Sequence, residues 1–236
     1  MAHDSAPAGS ATYTGDVTPG GPAQVRSLPR LSITKVAVDP EMSNNCYLLR
    51  CTATGEQLLV DAAAEPGTLL PLVGDAGLTA VVTTHQHWDH HRALADVVSA
   101  TGASVLVGTP DADAVTEQTG VEVKRRLEHG DTVRVGEASL DVIAIAGHTP
   151  GSVALVYRDD ADPDGHPHLF TGDTLFPGGV GATFGDADAF TQLIVDVESR
   201  IFGTLPDDTW FYPGHGGDGR LGDERPHLTE WRERGW

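Results

Sequence analysis

The chain has 236 residues, with 15 Lys+Arg against 34 Asp+Glu and a formal net charge of −19 at pH 7. A surface this acidic repels phosphate backbones, which argues against sequence-independent nucleic-acid binding. The length allows a substantial core in one α/β domain, and no apolar run is long enough to cross a bilayer.

Residues 1–24 are rich in Ala, Gly, Ser, Thr and Pro, carry acids early and lack an apolar secretory core. They are expected to form a disordered or loosely packed leader, with residues 25–236 as a single domain and a cytoplasmic location. Strands are predicted at Leu31–Val38, Asn45–Cys51 and Gln57–Ala62, with Gly55 turning between the last two. Cys46 and Cys51 lie an odd number of residues apart in one strand, so they point to opposite faces and cannot readily bridge. They read as structural or free thiols of a reducing compartment. A short helix at Gly67–Val73 precedes a buried strand at Leu78–Thr83, and a helix is expected at His91–Val98. Ser104–Val107 is another strand. Val121 to Ile145 looks like a β-meander, turning at His129-Gly130-Asp131 and at Gly136-Glu137. Further strands are expected at Ser152–Tyr157, from His168 and from Thr209, with an acidic turn over Asp159–Pro167. Asp186 or Asp188 caps a helix running to Phe202, whose stripe of Phe190, Leu193, Ile194, Val197 and Ile201 is core packing. The charged tail from Arg220 to Trp236 suits a short surface helix. Only Lys35 and Lys124 are lysines. With abundant Ala, Gly, Asp and Val, this is the profile of a GC-rich bacterial genome or a salt-adapted one.

The chemistry concentrates where the Leu78–Thr83 strand ends, in Thr84-His85-Gln86-His87-Trp88-Asp89-His90-His91. His85, His87, Asp89 and His90 are all strong metal ligands. In strand geometry His85 and His87 share a side, while Asp89 and His90 follow a bend and can face a second position. Imidazoles with a carboxylate suit Zn²⁺, and also Fe or Mn. Three later segments repeat the pattern of a strand ending in a ligand beside glycine: Gly147-His148-Thr149-Pro150-Gly151-Ser152, Thr171-Gly172-Asp173-Thr174-Leu175-Phe176 and Pro213-Gly214-His215-Gly216. Thr84, Thr149 and Ser152 are candidates to orient the imidazoles. His91 suits an orienting or surface role, and Trp88 either a pocket wall or a packed aromatic.

This ordered set of HxHxDH, GHTPGS, TGDTLF and PGHG blocks resembles the metallo-β-lactamase superfamily, and within it the glyoxalase II-like hydrolases. The resemblance spans Leu31 to Gly217. It implies an α/β fold of the αβ/βα four-layer sandwich type, with a two-metal centre, zinc before iron or manganese, along one edge. It assigns His85, His87 and His148 to one metal and Asp89, His90 and His215 to the other, with Asp173 bridging both. Metal-bound hydroxide would attack a carbonyl with Asp89 and Asp173 as the catalytic carboxylates, so no Ser or Cys nucleophile is required. The implied partner is a small-molecule substrate, most simply a thioester, with neither nucleic acid nor membrane. Two departures put the glutathione thioester of that family in doubt. Gly179-Val180-Gly181-Ala182 stands where the family often has Gly-Cys-Gly-Arg, and little chain follows His215 to supply the helical region that grips glutathione. A thioester of another thiol therefore stays open. Alternatives within the superfamily are a mononuclear iron persulfide dioxygenase, in which an alanine usually replaces the glycine at Gly214, and a lactonase or phosphodiesterase.

Overall fold

The computed structural model describes residues 13–159, 161 and 165–235. Strands β1 (Gln24–Ser27), β2 (Leu31–Val38), β3 (Asn44–Cys51) and β4 (Gln57–Val60) run antiparallel. Helix α1 (Pro66–Val73) leads to β5 (Ala80–Thr83), α2 (Leu94–Thr101) to β6 (Ser104–Gly108), and α3 (Ala112–Thr119) to β7 (Val123–Leu127). Strands β4 to β7 pair in parallel, completing a seven-stranded sheet in chain order. A second sheet, of six strands, is built from β8 (Thr132–Val135), β9 (Ala138–Ala144), β10 (Val153–Tyr157), β11 (His168–Gly172), β14 (Trp210–Pro213) and β15 (Gly219–Arg220). The hairpin β12 (Leu175–Phe176) and β13 (Gly179–Val180) lies between β11 and helix α4 (Ala187–Asp196). The chain closes with α5 (Leu221–Glu224) and α6 (Leu228–Arg234).

Alternating side chains explain the layers. Leu31, Ile33, Tyr47, Leu49, Leu58 and Val82 of the first sheet meet Leu140, Leu155, Phe170 and Tyr212 of the second in a central core. The opposite face of the first sheet buries Leu48, Leu59, Val81 and Val105 beneath α1, α2 and α3. On the far side, Ile143, Val156 and Leu169 pack under Leu193, Ile194 and Ile201 and under Trp231 of α6. Strands that are apolar on both faces are what two-sided coverage demands. The fold is the four-layer αβ/βα sandwich. Among the described residues, no helix is long and apolar enough to cross a membrane.

Several expectations need correction. The Val121–Ile145 stretch is not one meander: β7 pairs with β6 in the first sheet, and the turn at His129-Gly130-Asp131 carries the chain across to β8 in the second. The strand expected to reach Ala62 stops at Val60, because Asp61 turns left-handed at φ 57°. The helix expected from His91 starts at Leu94, because Trp88–His90 forms a separate 3₁₀ turn. The helix after Asp186 widens to a π-helix over Val197–Phe202. Asp186 does cap it, accepting from the amides of Asp188 and Ala189. Cys46 and Cys51 are both free, buried on opposite faces of β3.

Of the expected leader, residues 1–12 lie outside the described residues. Residues 13–24, also expected to be loose, are pinned instead. The Tyr13 hydroxyl donates to Asp218 at 2.7 Å, and buried Lys35 donates to the Gly15 carbonyl at 2.7 Å and to Asp218 at 2.6 Å. Arg26 lies over the rings of Tyr13 and Trp210, 4.4 and 4.0 Å from their centroids. A buried ammonium needs partners, and this segment supplies one of them.

Candidate metal centre

At one edge of the sandwich, the loops after β5, β11 and β14 and the loop before β10 converge. The parallel strands β4, β5 and β6 all present their carboxyl ends there, the usual location of sites in such sheets. All seven residues singled out from the sequence meet at this edge. Three overlapping groups could hold a metal: His85, His87 and His148; His85, His90 and Asp173; and Asp89, His90 and His215, with ligand atoms within 4.8 Å of one another in each.

Hydrogen bonds set the imidazole faces of the first group. His148 donates from Nδ1 to the Ala182 carbonyl at 2.8 Å. The Thr84 hydroxyl donates to Asp61 at 2.8 Å and so can accept from His85 Nδ1 at 3.0 Å. Both Nε2 atoms are left as bare lone pairs. These two nitrogens and His87 Nδ1 form a triangle with edges of 3.1, 2.9 and 3.3 Å. The 3.3 Å edge sets two lone pairs against each other, and these repel unless a cation or the His87 Nδ1 proton lies between them. Tetrahedral Zn–N bonds of about 2.0–2.1 Å space their nitrogens about 3.3 Å apart. The donor set therefore fits a divalent metal.

The second group is built similarly. His90 donates from Nδ1 to Asp61 at 2.8 Å, and His215 from Nδ1 to the Met42 carbonyl at 2.8 Å. His215 Nε2 lies 3.4 Å from both Asp89 Oδ2 and Asp173 Oδ2, while His90 Nε2 is 3.4 Å from Asp173 Oδ1. His90 Nε2 and Asp173 Oδ1 are buried without a hydrogen-bond partner. Leaving such atoms orphaned is expensive, and a shared cation would satisfy both. Asp173 Oδ2 also lies 3.8 Å from His148 Nε2, so this carboxylate sits between the two groups.

Protonation follows the surroundings. Burial pushes the His85, His87 and His148 imidazoles below their ordinary range, which keeps them neutral and ready to donate lone pairs. Burial would raise the Asp173 carboxyl, but the imidazoles of His90, His215 and His85 outweigh it and hold the group well below the usual carboxylate range. Asp89 is likewise lowered against burial, by His215, His90 and Asn44. Burial opposes charge on His215, yet Asp173 and Asp89 carry its pKa up to about 9.

Three supporting residues were missed in the sequence. Asp61 holds the Thr84 amide at 2.7 Å as well as His90. Fully buried Asp111 joins two ligand loops, accepting from the Gln86 amide at 2.9 Å, the Thr149 hydroxyl at 2.6 Å and the Gly151 amide at 2.7 Å. Asn44 donates to Asp89 Oδ2 at 3.0 Å. Asp61 had a readable signal, since Leu58-Leu59-Val60-Asp61 repeats the apolar-strand-then-aspartate pattern of Asp173. Of the residues expected to orient imidazoles, Thr84 touches His85, whereas Thr149 and Ser152 act through Asp111 and each other. His91 is buried, 3.1 Å from the Gln86 carbonyl. Trp88 is a pocket wall: with Met42, Phe176, Ala182 and Phe184 it lines a mouth of about 410 Å³ over the candidate ligands.

Comparison with known proteins agrees with this geometry. A family model described as the metallo-beta-lactamase superfamily matches residues 39–215. A hydroxyacylglutathione hydrolase-like protein of Homo sapiens is 34% identical over 185 residues, covering 77% of this chain and 59% of the relative. A hydroxyacylglutathione hydrolase of Polaromonas is 34% identical over 173 residues, covering 72% and 60%. The chain thus spans about three fifths of the length of these relatives. The solved structure of ETHE1 from Myxococcus xanthus superposes with a TM-score of 0.70 at 30% identity, over 85% of this chain and 84% of the other. Fold, converging donors and a family match running from the Asp39 turn to His215 agree, and the chain belongs to the metallo-beta-lactamase superfamily.

Proposed function

We propose that the chain is a metal-dependent hydrolase that cleaves a thioester with two divalent cations, zinc first among them. The observation that carries this reading is the convergence of bare nitrogen lone pairs and orphaned buried atoms on two adjacent positions, with Asp173 between them. His85, His87 and His148 would hold one cation and Asp89, His90 and His215 the other. The bound metals would supply a water acidified toward neutrality and positive charge for the developing oxyanion.

The chain's own groups do the rest. Asp173, kept ionised by the surrounding imidazoles, lies between the two positions and would serve as a ligand shared by both. Asp89 is aimed by Asn44, which occupies Oδ2 and so restrains rotation of the carboxylate. Asp61 and the Ala182 and Met42 carbonyls lock the imidazole tautomers, so few groups reorganise during reaction. Trp88, Phe176 and Phe184 give the mouth an apolar wall against which a substrate can pack. Relatives named hydroxyacylglutathione hydrolases support a thioester as the substrate class.

The test is metal analysis of protein purified without added metal, paired with a thioester assay on the same sample. About two zinc ions per chain with turnover would support the proposal. A single iron with oxygen uptake on a persulfide would move the chain to the oxygenases. Turnover of lactones or phosphodiesters in place of thioesters would replace the substrate class.

A further inference from the structure

The mouth of the candidate centre is apolar where solvent meets it. Phe184 is 79% exposed, Trp88 54% and Met42 41%, making three of the five large exposed hydrophobics among the described residues. Isolated exposed apolar side chains need no explanation, but three around one opening do. Phe184 in addition adopts φ 54°, a left-handed conformation that is an outlier for a bulky residue. Its ring buries almost nothing in the core, so core packing does not offset the strain. Instead it stands edge-on to His87 and tilted to His148, with centroids at 5.8 and 6.1 Å. Across the opening the Phe176 ring faces His215 at 6.4 Å.

Charge around the rim is one-sided. Neither Lys nor Arg lines the mouth. Two neighbouring bases are already engaged: Arg92 stacks behind Trp88 at 4.7 Å and pairs with Asp39, and Arg234 donates to the Gly178 carbonyl and to Glu230. Acids outnumber bases on both sides: Asp39, Glu41 and Glu65 line the depression beside the Met42 loop together with Arg92, and Asp186 and Asp188 line the one past Phe184. An anionic peptide thiol would bring its carboxylates to a rim where acids outnumber the one base among them, Arg92, which is already paired with Asp39.

We propose that Met42, Trp88, Phe176 and Phe184 form the specificity element of the site. It takes a thioester with an apolar acyl group and a thiol portion bearing no net negative charge, and it disfavours glutathione conjugates. This deepens the hydrolase reading and rests on it for the scissile bond. The step itself is hydrolysis: water adds at the acyl carbon, the carbon–sulfur bond breaks, and carboxylate and thiol leave with the proton balance carried by water.

The experiment compares the zinc-loaded protein on S-acyl N-acetylcysteamines and S-acyl glutathiones carrying the same acyl groups. From acetyl to hexanoyl, kcat/KM should rise roughly tenfold or more, since each buried methylene contributes a few-fold. At each chain length the neutral thiol should be preferred, and more strongly at low salt. Phe184→Gly, which relieves the left-handed strain, should fold at least as stably and keep its metal while flattening the chain-length dependence. A separate arm needs no turnover: calorimetry with the inert thioethers S-hexyl-N-acetylcysteamine and S-hexylglutathione should show tighter binding of the neutral one, and Phe184→Gly should weaken both. Equal or better use of glutathione conjugates, or a flat chain-length profile, would overturn the proposal. So would a concentration-dependent dimer abolished by Phe184→Gly, which would assign the rim to a second copy of the chain. Absence of any thioester turnover would remove the hydrolase reading, and the thioether arm would still decide the rim.

Discussion

Asp61 accepts three hydrogen bonds, from the Thr84 amide, the Thr84 hydroxyl and His90 Nδ1, while its backbone is held left-handed at φ 57°. A non-glycine residue in that region is disfavoured by about 1–2 kcal/mol, so the surrounding bonds must outweigh it. Asp61→Asn keeps the shape but places an amide where a carboxylate receives His90. Metal affinity should fall about 10–100-fold in a chelator competition, the usual scale for losing a partner that orients a ligand. Asp173→Ala or His87→Ala should lower metal content and bring hydrolysis to background while circular dichroism stays near wild type. Full activity in either would remove the assigned site. The pH response follows from His215 and Asp173. In metal-free protein the raised His215 stabilises the fold fully below about pH 6.5, and this is lost as pH rises through about 9. The depressed Asp173 acts oppositely, contributing above its unfolded value of 3.8 and losing that contribution as pH falls. Metal binding displaces the His215 proton, so it strengthens with pH. The gap in Tm between zinc-loaded and chelated protein should therefore widen from pH 6 to pH 9, and a constant gap would contradict this coupling.

At the scale of elements, close backbone approach decides where the candidate ligands can stand. A Cβ on Gly214 would lie 2.1 Å from Asp173 Oδ1 and 2.6 Å from His90 Cε1, and one on Gly181 would lie 1.9 Å from the Asp173 carbonyl. Gly214→Ala is therefore expected to displace Asp173 from its position between the two groups. The expected result is loss of about one metal per chain with the other retained, read by elemental analysis; unchanged stoichiometry would show that the loop yields instead. The seven candidate ligands were legible because each sits in a short block whose spacing is set by one strand end. Asp111 and Asn44 were not, and the strand-end position of Asp61 gave no sign of what it holds. They lie 23 to 45 positions from the atoms they hold, and only strand pairing brings them near. The same limit explains the misread meander. Local turn residues mark where the chain bends at Gly130, but whether β7 joins the sheet before or after that bend depends on β6, a non-local partner. Lys35 likewise reads as an ordinary polar residue in an alternating strand, although it points inward with no exposed surface.

For the molecule as a whole, the Lys35–Asp218 pair ties the 13–16 segment, β2 and the loop after His215 together. Lys35→Met leaves Asp218 buried with only the Tyr13 hydroxyl and the Trp210 indole as donors. Removing one partner of a buried pair destabilises by about 3–5 kcal/mol, measurable by urea denaturation. A change below about 1 kcal/mol would show that the network is dispensable. Metal bound at the candidate centre would contribute to global stability through mass action, about 2.7 kcal/mol at a hundredfold excess over Kd. Chelation should therefore lower Tm without changing the far-UV spectrum. The two sheets are also stitched directly to each other at the candidate centre: the Asn45 amide donates to the Gly214 carbonyl at 2.7 Å, and the Val153 amide to the Thr84 carbonyl at 2.9 Å. In each bond the accepting residue adjoins a candidate ligand, Gly214 beside His215 and Thr84 beside His85. Both tie one half of the fold to the other, so both amides are expected to be among the slowest to exchange with solvent. Their exchange rates would then serve as a clock for how long the two halves stay closed, slowing together when metal is added.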